Sequence, residues 1–467
     1  MTLIKVLLAL YLALVSGYSI LAIFRKRRIF SSISGAALAF GLGIGAVSVI
    51  QVMFLSLSIK ITPLTMIAAF FVVSLSTLPI TLKERKLPGE KERSRKPGIL
   101  PLIIALLLAV QLVWIIIKTF NYPIIDDDGV WQWGLKAKII YYSNERGESL
   151  KEIAPKMSLT SNGNHPLLIP LAEHYVNVFA GEWNDLYFKA IFPLFYLALL
   201  GIFYGYLRRF TGVNYASVCA FLLASLPFMA KLATWGVPDI ALAYYHFAGF
   251  VLILLWMKDR DTGLLVLSAI FSALSVWTKN EGYPSAVINA AVVILFLFTG
   301  GRDVGAVKMK KTAVVFLYTA AVMAAILLVW CYQKSTGVSD LIVNGRTFIL
   351  ERVNENTGRI PYIFNQFQKQ MFGAVNKWDL VGYLFVFSIF YQLIKRQKGP
   401  EGYILFVIIF KIAVYAGVYY ISPLDVKDHI DTSLYRIYLH IVPFILLYSA
   451  LALKDIAAGL TDIPHPR

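Results

Sequence analysis

The sequence predicts an all-α polytopic membrane protein with about thirteen transmembrane helices, and three observations carry that expectation. Of 467 residues, 58% are hydrophobic and 15% charged, at a mean hydropathy of +0.67. Soluble domains run to roughly 45–50% apolar and about a quarter charged. Apolar runs long enough to cross a bilayer core of about 30 Å recur along the whole chain. The lysines and arginines between those runs alternate in abundance from one connection to the next.

In order, the expected spans are 3–24, 35–58, 61–82, 99–120, 185–207, 214–234, 240–257, 264–278, 283–300, 312–333, 379–395, 402–422 and 437–454. The first ends at Arg25-Lys26-Arg27-Arg28 and lacks both a basic leader and a small-residue cleavage site, so it reads as a retained helix rather than a signal peptide. Cys219 and Cys331 lie far apart in apolar runs, which argues against a disulfide framework.

Assigning the connections alternately to two sides places 24 Lys and Arg on one side and 14 on the other, although the second side has the longer loops. The richer side is cytoplasmic by the positive-inside rule. The C-terminus is then inside, the N-terminus outside, and two long loops, 121–184 and 334–378, face the exterior of a plasma (inner) membrane. This divides the chain into a three-helix segment with a basic cytoplasmic loop (1–98), a core carrying the first exterior loop (99–333), the second exterior loop (334–378) and C-terminal membrane helices (379–467). The net charge of +17 is thereby spent on orientation; membrane lipids, not nucleic acid, are the expected partners.

Chemistry-bearing residues gather on the predicted outer side. The first exterior loop opens with Asp126-Asp127-Asp128-Gly129 directly after the fourth span. Like charges that close raise one another's pKa and are costly at a membrane boundary. The next segment, 130–142, places Trp131, Leu135, Ile139 and Tyr142 on one helical face and suits the headgroup region. Asp127 or Asp128 could simply cap that helix, but a cap needs one carboxylate, so the triplet points to catalysis or ligand holding.

His165, in Asn164-His165-Pro166, reads as a general base, a metal ligand or a loop residue; no HxxxH, HExxH or cysteine pair supports a transition-metal site. Three adjacent carboxylates could hold a hard divalent cation, Mg²⁺ or Mn²⁺, although a phosphodiester's single charge can be met by Arg and Lys alone. Asp239 follows Trp235-Gly236-Val237-Pro238 at one outer turn, and Lys279 and Glu281 stand one apart at another. Between two apolar helices those last two should pair or face a polar cavity. Arg436 and His440 precede the last span.

Asp128 followed by Trp133 and Lys136-Ala137-Lys138, then His165-Pro166-Leu167-Leu168-Ile169-Pro170, then Thr278-Lys279-Asn280-Glu281-Gly282, and finally Thr432-Ser433-Leu434-Tyr435-Arg436 occur in that order on one predicted side. This ordered set resembles landmarks of bacterial GT-C-type membrane glycosyltransferases that use polyprenyl-phosphate sugars, a group including protein O-mannosyltransferases and the aminoarabinose transferase acting on lipid A. The resemblance covers residues 121–440 and implies a GT-C-like architecture with interfacial helices in the first long exterior loop. It also implies an acidic catalytic base in that loop: Asp128 first, Asp127 as close competitor, then Asp126. The chain departs from the pattern in having three aspartates where one, or an Asp-Glu pair, is usual, and in carrying three spans before the loop-bearing helix.

The implied reaction is inverting transfer of a sugar from a polyprenyl-phosphate donor to a hydroxyl on a cell-envelope lipid, polysaccharide or protein, at the extracytoplasmic face. A positioned carboxylate supplies general-base help of roughly 10²–10⁴-fold, and cations aimed at the leaving phosphate stabilise its developing charge. Arg436, Lys279, Arg346 and Arg352 are the expected phosphate contacts; Trp133, Lys136, His165, Asp239 and Glu281 are the expected substrate contacts. Two other classes compete. An O-antigen ligase or polymerase would use exterior residues such as Arg436 and His440 and not Asp128. A lipid-linked-sugar flippase or transporter would place ionisable groups near mid-bilayer on repeated, broken helices, whereas only Lys411 and His246 lie deep here and no repeat is evident.

Overall fold

A computed structural model describes residues 2–24, 32–85, 98–124, 126–299, 311–337, 356–395 and 399–456. The described residues are helical, with no strand. Most of the basic stretches used for orientation, including residues 25–28, 86–96 and 302–310, lie outside them.

Nine of the described helices are long and apolar enough to cross a bilayer, or ten if one bent pair is a single span. The protein is therefore an all-helical integral membrane protein. The helices in chain order begin with α1 (Thr2–Ile23), α2 (Ser32–Ser56), α3 (Pro63–Arg85) and α4 (Ile99–Asn121). The long loop after α4 contributes α5 (Leu135–Glu145), a single turn α6 (Leu150–Ile153) and α7 (Leu168–Ala180). Then follow α8 (Ile191–Thr211), α9 (Val213–Ser225), α10 (Pro227–Leu232), α11 (Asp239–Asp259), α12 (Thr262–Thr278), α13 (Gly282–Thr299) and α14 (Lys311–Thr336). The rest are α15 (Arg359–Gln368), α16 (Val375–Trp378), α17 (Val381–Lys395), α18 (Glu401–Ile421), α19 (Val426–Leu439) and α20 (Val442–Ala452).

Two expected spans are broken, each for a local reason. The run 214–234 stops being helical at Leu226, whose ψ of 119° is the extended conformation that a following proline, Pro227, imposes. The expected span 437–454 runs across the break between α19 and α20, two helices bent by 41°. Pro443 sits in the first turn of α20, where its missing N–H leaves no helical bond unmade.

Two compact units divide the chain, Met1–Arg95, Gln111–Ile202 and Lys231–Ser339 in the first, Lys96–Val110, Phe203–Ala230 and Asp340–Arg467 in the second. The N-terminal helices therefore share a unit with the long loop that carries α5 to α7. Glycines let α1 and α2 meet backbone to backbone: a Cβ on Gly17 would lie 1.7 Å from the Ala39 carbonyl oxygen, and one on Gly43 2.0 Å from that of Ala13. Tyrosine hydroxyls then tie neighbouring helices to these backbones. Tyr244 and Tyr245 of α11 donate to the carbonyls of Ala37 and Gly41 at 2.6 and 2.9 Å, and Tyr175 of α7 to that of Ala9 at 2.7 Å.

The α2–α3 turn also holds the long loop that carries α5. Asn144 of α5 accepts from the Ile61 amide at 2.8 Å and donates to the Ile61 carbonyl at 2.9 Å. Deeper in the unit, Ser268, Ser272, Asn289 and Tyr318 hydrogen-bond one another across α12, α13 and α14, as polar groups within an apolar medium must. In the second unit, Lys411 of α18 donates to the His440 carbonyl at 3.1 Å and the Tyr215 hydroxyl to that of Ala450 at 2.7 Å.

Candidate active site

The aspartate turn is fixed at both ends. Before it, the Lys189 ammonium donates to the Tyr122 carbonyl. After it, the Val130 amide donates to the Asp126 carbonyl at 3.0 Å and the Gly129 amide to Asp126 Oδ1 at 3.3 Å. The capping role expected of Asp127 or Asp128 thus falls to Asp126. Asp128 has helical backbone angles and its side chain makes no capping bond. The reason is positional: residues 127 and 128 are already helical, so Asp126 stands just before the first turn and its side chain reaches the amide three residues on, that of Gly129. Asp127 is exposed, while Asp126 and Asp128 are half-buried.

The helix that follows buries a different face from the stripe at Trp131, Leu135, Ile139 and Tyr142. Trp133, Ala137, Ile140 and Tyr141 are buried, whereas Trp131 is 61% and Tyr142 46% exposed. The stripe visible in the sequence therefore faces outward, where interfacial aromatics belong, and a second stripe packs inward.

The aspartate turn docks on the turn before α11. A Cβ on Gly129 would lie 3.1 Å from the Trp235 carbonyl oxygen and 2.7 Å from Ile124 Cγ2. Gly236, at φ +76°, presents its bare Cα side to the same isoleucine, so both turns need glycine at the contact. Three residues beyond Gly236 is Asp239, buried with no exposure at the start of α11.

Lys279 bridges two carboxylates, with Nζ 3.0 Å from Asp239 Oδ1 and 2.9 Å from Glu281 Oε1. Lys279 and Glu281 thus pair, as their spacing at an apolar turn required. Burial alone would push the Glu281 carboxyl up; the Lys279 ammonium beside it outweighs that and holds it below the usual carboxylate range.

His165 faces the same group of charges. Its ring meets the Trp133 ring edge-on at 5.3 Å, and burial, then the nearby Lys136 ammonium, lowers its pKa to about 3, so the imidazole is neutral near neutral pH. Its loop is clamped from three directions. Lys136 donates to the carbonyls of Asn162 and His165 at 2.7 and 3.1 Å, Tyr332 to that of Gly163 at 3.3 Å, and Gln333 both to the Asn164 carbonyl at 3.1 Å and to Asn280 Oδ1 at 3.2 Å. Burial lowers the Lys136 pKa well below that of a free lysine. Among the described residues, Nδ1 of His165 and Oε2 of Glu281 are buried without a hydrogen-bond partner.

Of the expected site residues, Trp133, Lys136, His165, Asp239, Lys279 and Glu281 thus come together in the first unit. The turn of Asp126, Asp127 and Asp128 docks against the loop that leads into Asp239. Arg436 stands half-buried on α19 of the second unit, and Arg346 and Arg352 lie outside the described residues. Among the described residues, no group of three or more His, Cys, Asp or Glu side chains is placed to hold a metal ion.

Sequence reading missed Lys189, Tyr332 and Gln333; each is a polar residue at the end of an apolar helix, the one signal that could have found them. It also missed a buried polar cluster on α7. Gln51 Nε2 donates to the carbonyls of Leu171 and Val47, so its Oε1 must accept, at 2.5 Å, from His174 Nδ1. That assigns the proton of His174 to Nδ1. Next to it, Glu173 is fully buried with neither carboxyl oxygen bonded among the described residues, and burial, then Asp185, pushes its pKa well above the carboxylate range.

No protein-family model matches the chain, and no curated protein matches it.

Proposed function

We propose that the protein is an inverting glycosyltransferase of GT-C-like architecture, with thirteen membrane crossings. In this reading it transfers a sugar from a polyprenyl-phosphate donor to a hydroxyl acceptor at the extracytoplasmic face. The observation that carries the reading is the docking of the aspartate turn, through Gly129, on the Trp235–Gly236 backbone that leads into the Asp239–Lys279–Glu281 ion-pair group. It joins a solvent-accessible acid to a buried polar wall within one unit.

In the proposed reaction a carboxylate of the turn, Asp128 first, accepts the proton of the incoming hydroxyl. The acceptor oxygen forms a bond to the anomeric carbon as the bond from that carbon to the phosphate oxygen breaks. The electron pair leaves with the polyprenyl phosphate, and the proton remains on the aspartate. Base help of this kind contributes roughly 10²–10⁴-fold. Glu281 Oε2 and His165 Nδ1 are buried and without protein partners among the described residues, which supports reading them as the acceptors of hydrogen bonds from sugar hydroxyls. Lys279 orients Asp239 and Glu281, since both carboxylates already engage it.

The test is substitution of Asp126, Asp127 and Asp128 separately by Asn, with transfer measured in detergent from a panel of polyprenyl-phosphate hexoses and pentoses. Loss of transfer in the Asp128 or Asp127 variant, with donor binding intact, supports the reading. Full activity in all three removes it.

A further inference from the structure

The walls around the aspartate turn and the Lys279 group carry five carboxylates, those of Asp126, Asp127, Asp128, Asp239 and Glu281. The cations beside them are already engaged. Lys279 lies between Asp239 and Glu281, Lys136 donates to the carbonyls of Asn162 and His165, and Lys189 donates to that of Tyr122. An anionic headgroup brought to this turn meets an excess of like charge, which a partly desolvated site screens poorly. A phosphate there requires a cation that protein oxygens do not already hold.

Lys231 meets that requirement. It lies near the end of the short helix α10, where the chain enters the first unit, with its side chain exposed, and its Nζ stands 4.6 Å from the ring centroid of Trp235. Among the described residues no carboxylate pairs with it. Stacking on a ring holds an ammonium in place while leaving N–H donors directed away from the ring. The residue beneath it is the same Trp235 whose carbonyl backs Gly129, so Lys231 is tied to the wall against which the aspartate turn docks.

Three other lysines in this unit lie over tryptophans: Lys136 over Trp133 at 5.4 Å, its ammonium already held by the Asn162 and His165 carbonyls, Lys118 over Trp114 at 5.2 Å and Lys334 over Trp330 at 4.3 Å. Trp114 and Trp330 are 47% and 49% exposed on apolar helices, the arrangement of a side chain snorkelling along a lipid-facing surface. Trp235 is instead half-buried in the turn that contacts Gly129.

We propose that Lys231, held on Trp235, is the contact for the lipid-linked phosphate at the aspartate turn. The proposal rests on the glycosyltransferase reading and adds to it a binding residue outside the set recognised from sequence. Lys231 binds; it takes no part in moving the proton.

The experiment measures direct binding of undecaprenyl phosphate to the full-length protein in detergent, for the wild type and for Lys231→Glu, Lys231→Ala, Lys231→Arg and Lys118→Ala. Because Lys231 is exposed, its variants should melt with the wild type. Lys231→Glu should weaken binding by about tenfold or more, with Lys231→Ala intermediate and Lys231→Arg close to wild type, as expected for a charge-assisted contact. Lys118→Ala should bind as wild type does. If the wild type binds and Lys231→Glu binds equally well, the Lys231 proposal is overturned while the transferase reading survives. Equal losses in Lys118→Ala and Lys231→Ala would also overturn it, since they would report general surface charge. Competition by inorganic phosphate at equal concentration would overturn the lipid-linked assignment. Failure of the wild type to bind undecaprenyl phosphate would remove the transferase reading itself.

Discussion

Lys279 Nζ lies 3.0 Å from Oδ1 of Asp239, a carboxylate with no solvent exposure at the start of α11. The pair joins the α12–α13 turn to the loop against which the aspartate turn docks. Its removal from one side leaves a buried charge uncompensated. Lys279→Ala should therefore destabilise the protein by about 3–5 kcal/mol, read as a large drop in thermal midpoint. Lys279→Ala combined with Asp239→Asn should recover part of that loss, and a double variant no more stable than the single one would show that the pair is not the reason.

His165 and His174 lie outside the spans, and burial lowers each pKa from 6.5 to about 3. Both are neutral in the folded state, whereas the unfolded chain takes up protons below pH 6.5. Their contribution to stability is present above that value and declines as pH falls toward about 3. His174→Gln should flatten the dependence of the thermal midpoint on pH across this window. An unchanged slope would mean that His174 is not held neutral by the fold.

Glu173 has the opposite sign. Its folded pKa is raised above 4.5, so its contribution is fully present below that pH and is lost as pH rises toward the folded value. Glu173→Gln keeps the shape and removes the titration. The variant should gain in thermal midpoint relative to the wild type as pH increases from 5 to 8, and a constant difference over that range would contradict the assignment.

How much of this was legible in the sequence follows from what each signal encodes. Hydropathy marks apolar runs, so membrane helices were visible, but it carries no backbone geometry. The break at Leu226 before Pro227 and the bend between α19 and α20 were read through as continuous. Charge spacing at an apolar turn made the Lys279–Glu281 pair readable, because burial leaves two such groups little choice. Asp239 as the second partner of Lys279 comes from 40 residues away, and no local pattern announces it. The triplet at 126–128 was visible, but the division of labour within it was not. It depends on the helix starting at residue 127, which leaves Asp126 as the residue that can reach the Gly129 amide. The role of residues 1–98 was opaque for a similar reason: Gln51, Lys60 and Ile61 bond to residues of α5 and α7 that lie 83 to 123 positions further on.

That N-terminal support makes its own prediction. A side chain at Gly43 would overlap the Ala13 carbonyl, with even a Cβ only 2.0 Å from that oxygen, so Gly43→Leu should disrupt α1–α2 packing and lower the yield of folded protein. Size-exclusion profiles in mild detergent check this. A monodisperse Gly43→Leu variant with wild-type melting would show that the close approach is not needed.

The central claim is that a carboxylate of the aspartate turn takes a proton from an incoming alcohol. The most direct measurement is single-turnover transfer by the Asp127→Asn plus Asp128→Asn double variant at saturating polyprenyl-phosphate sugar. The rate should fall by roughly 10²–10⁴-fold while the donor still binds with wild-type affinity. A double variant that transfers at the wild-type rate would contradict the account.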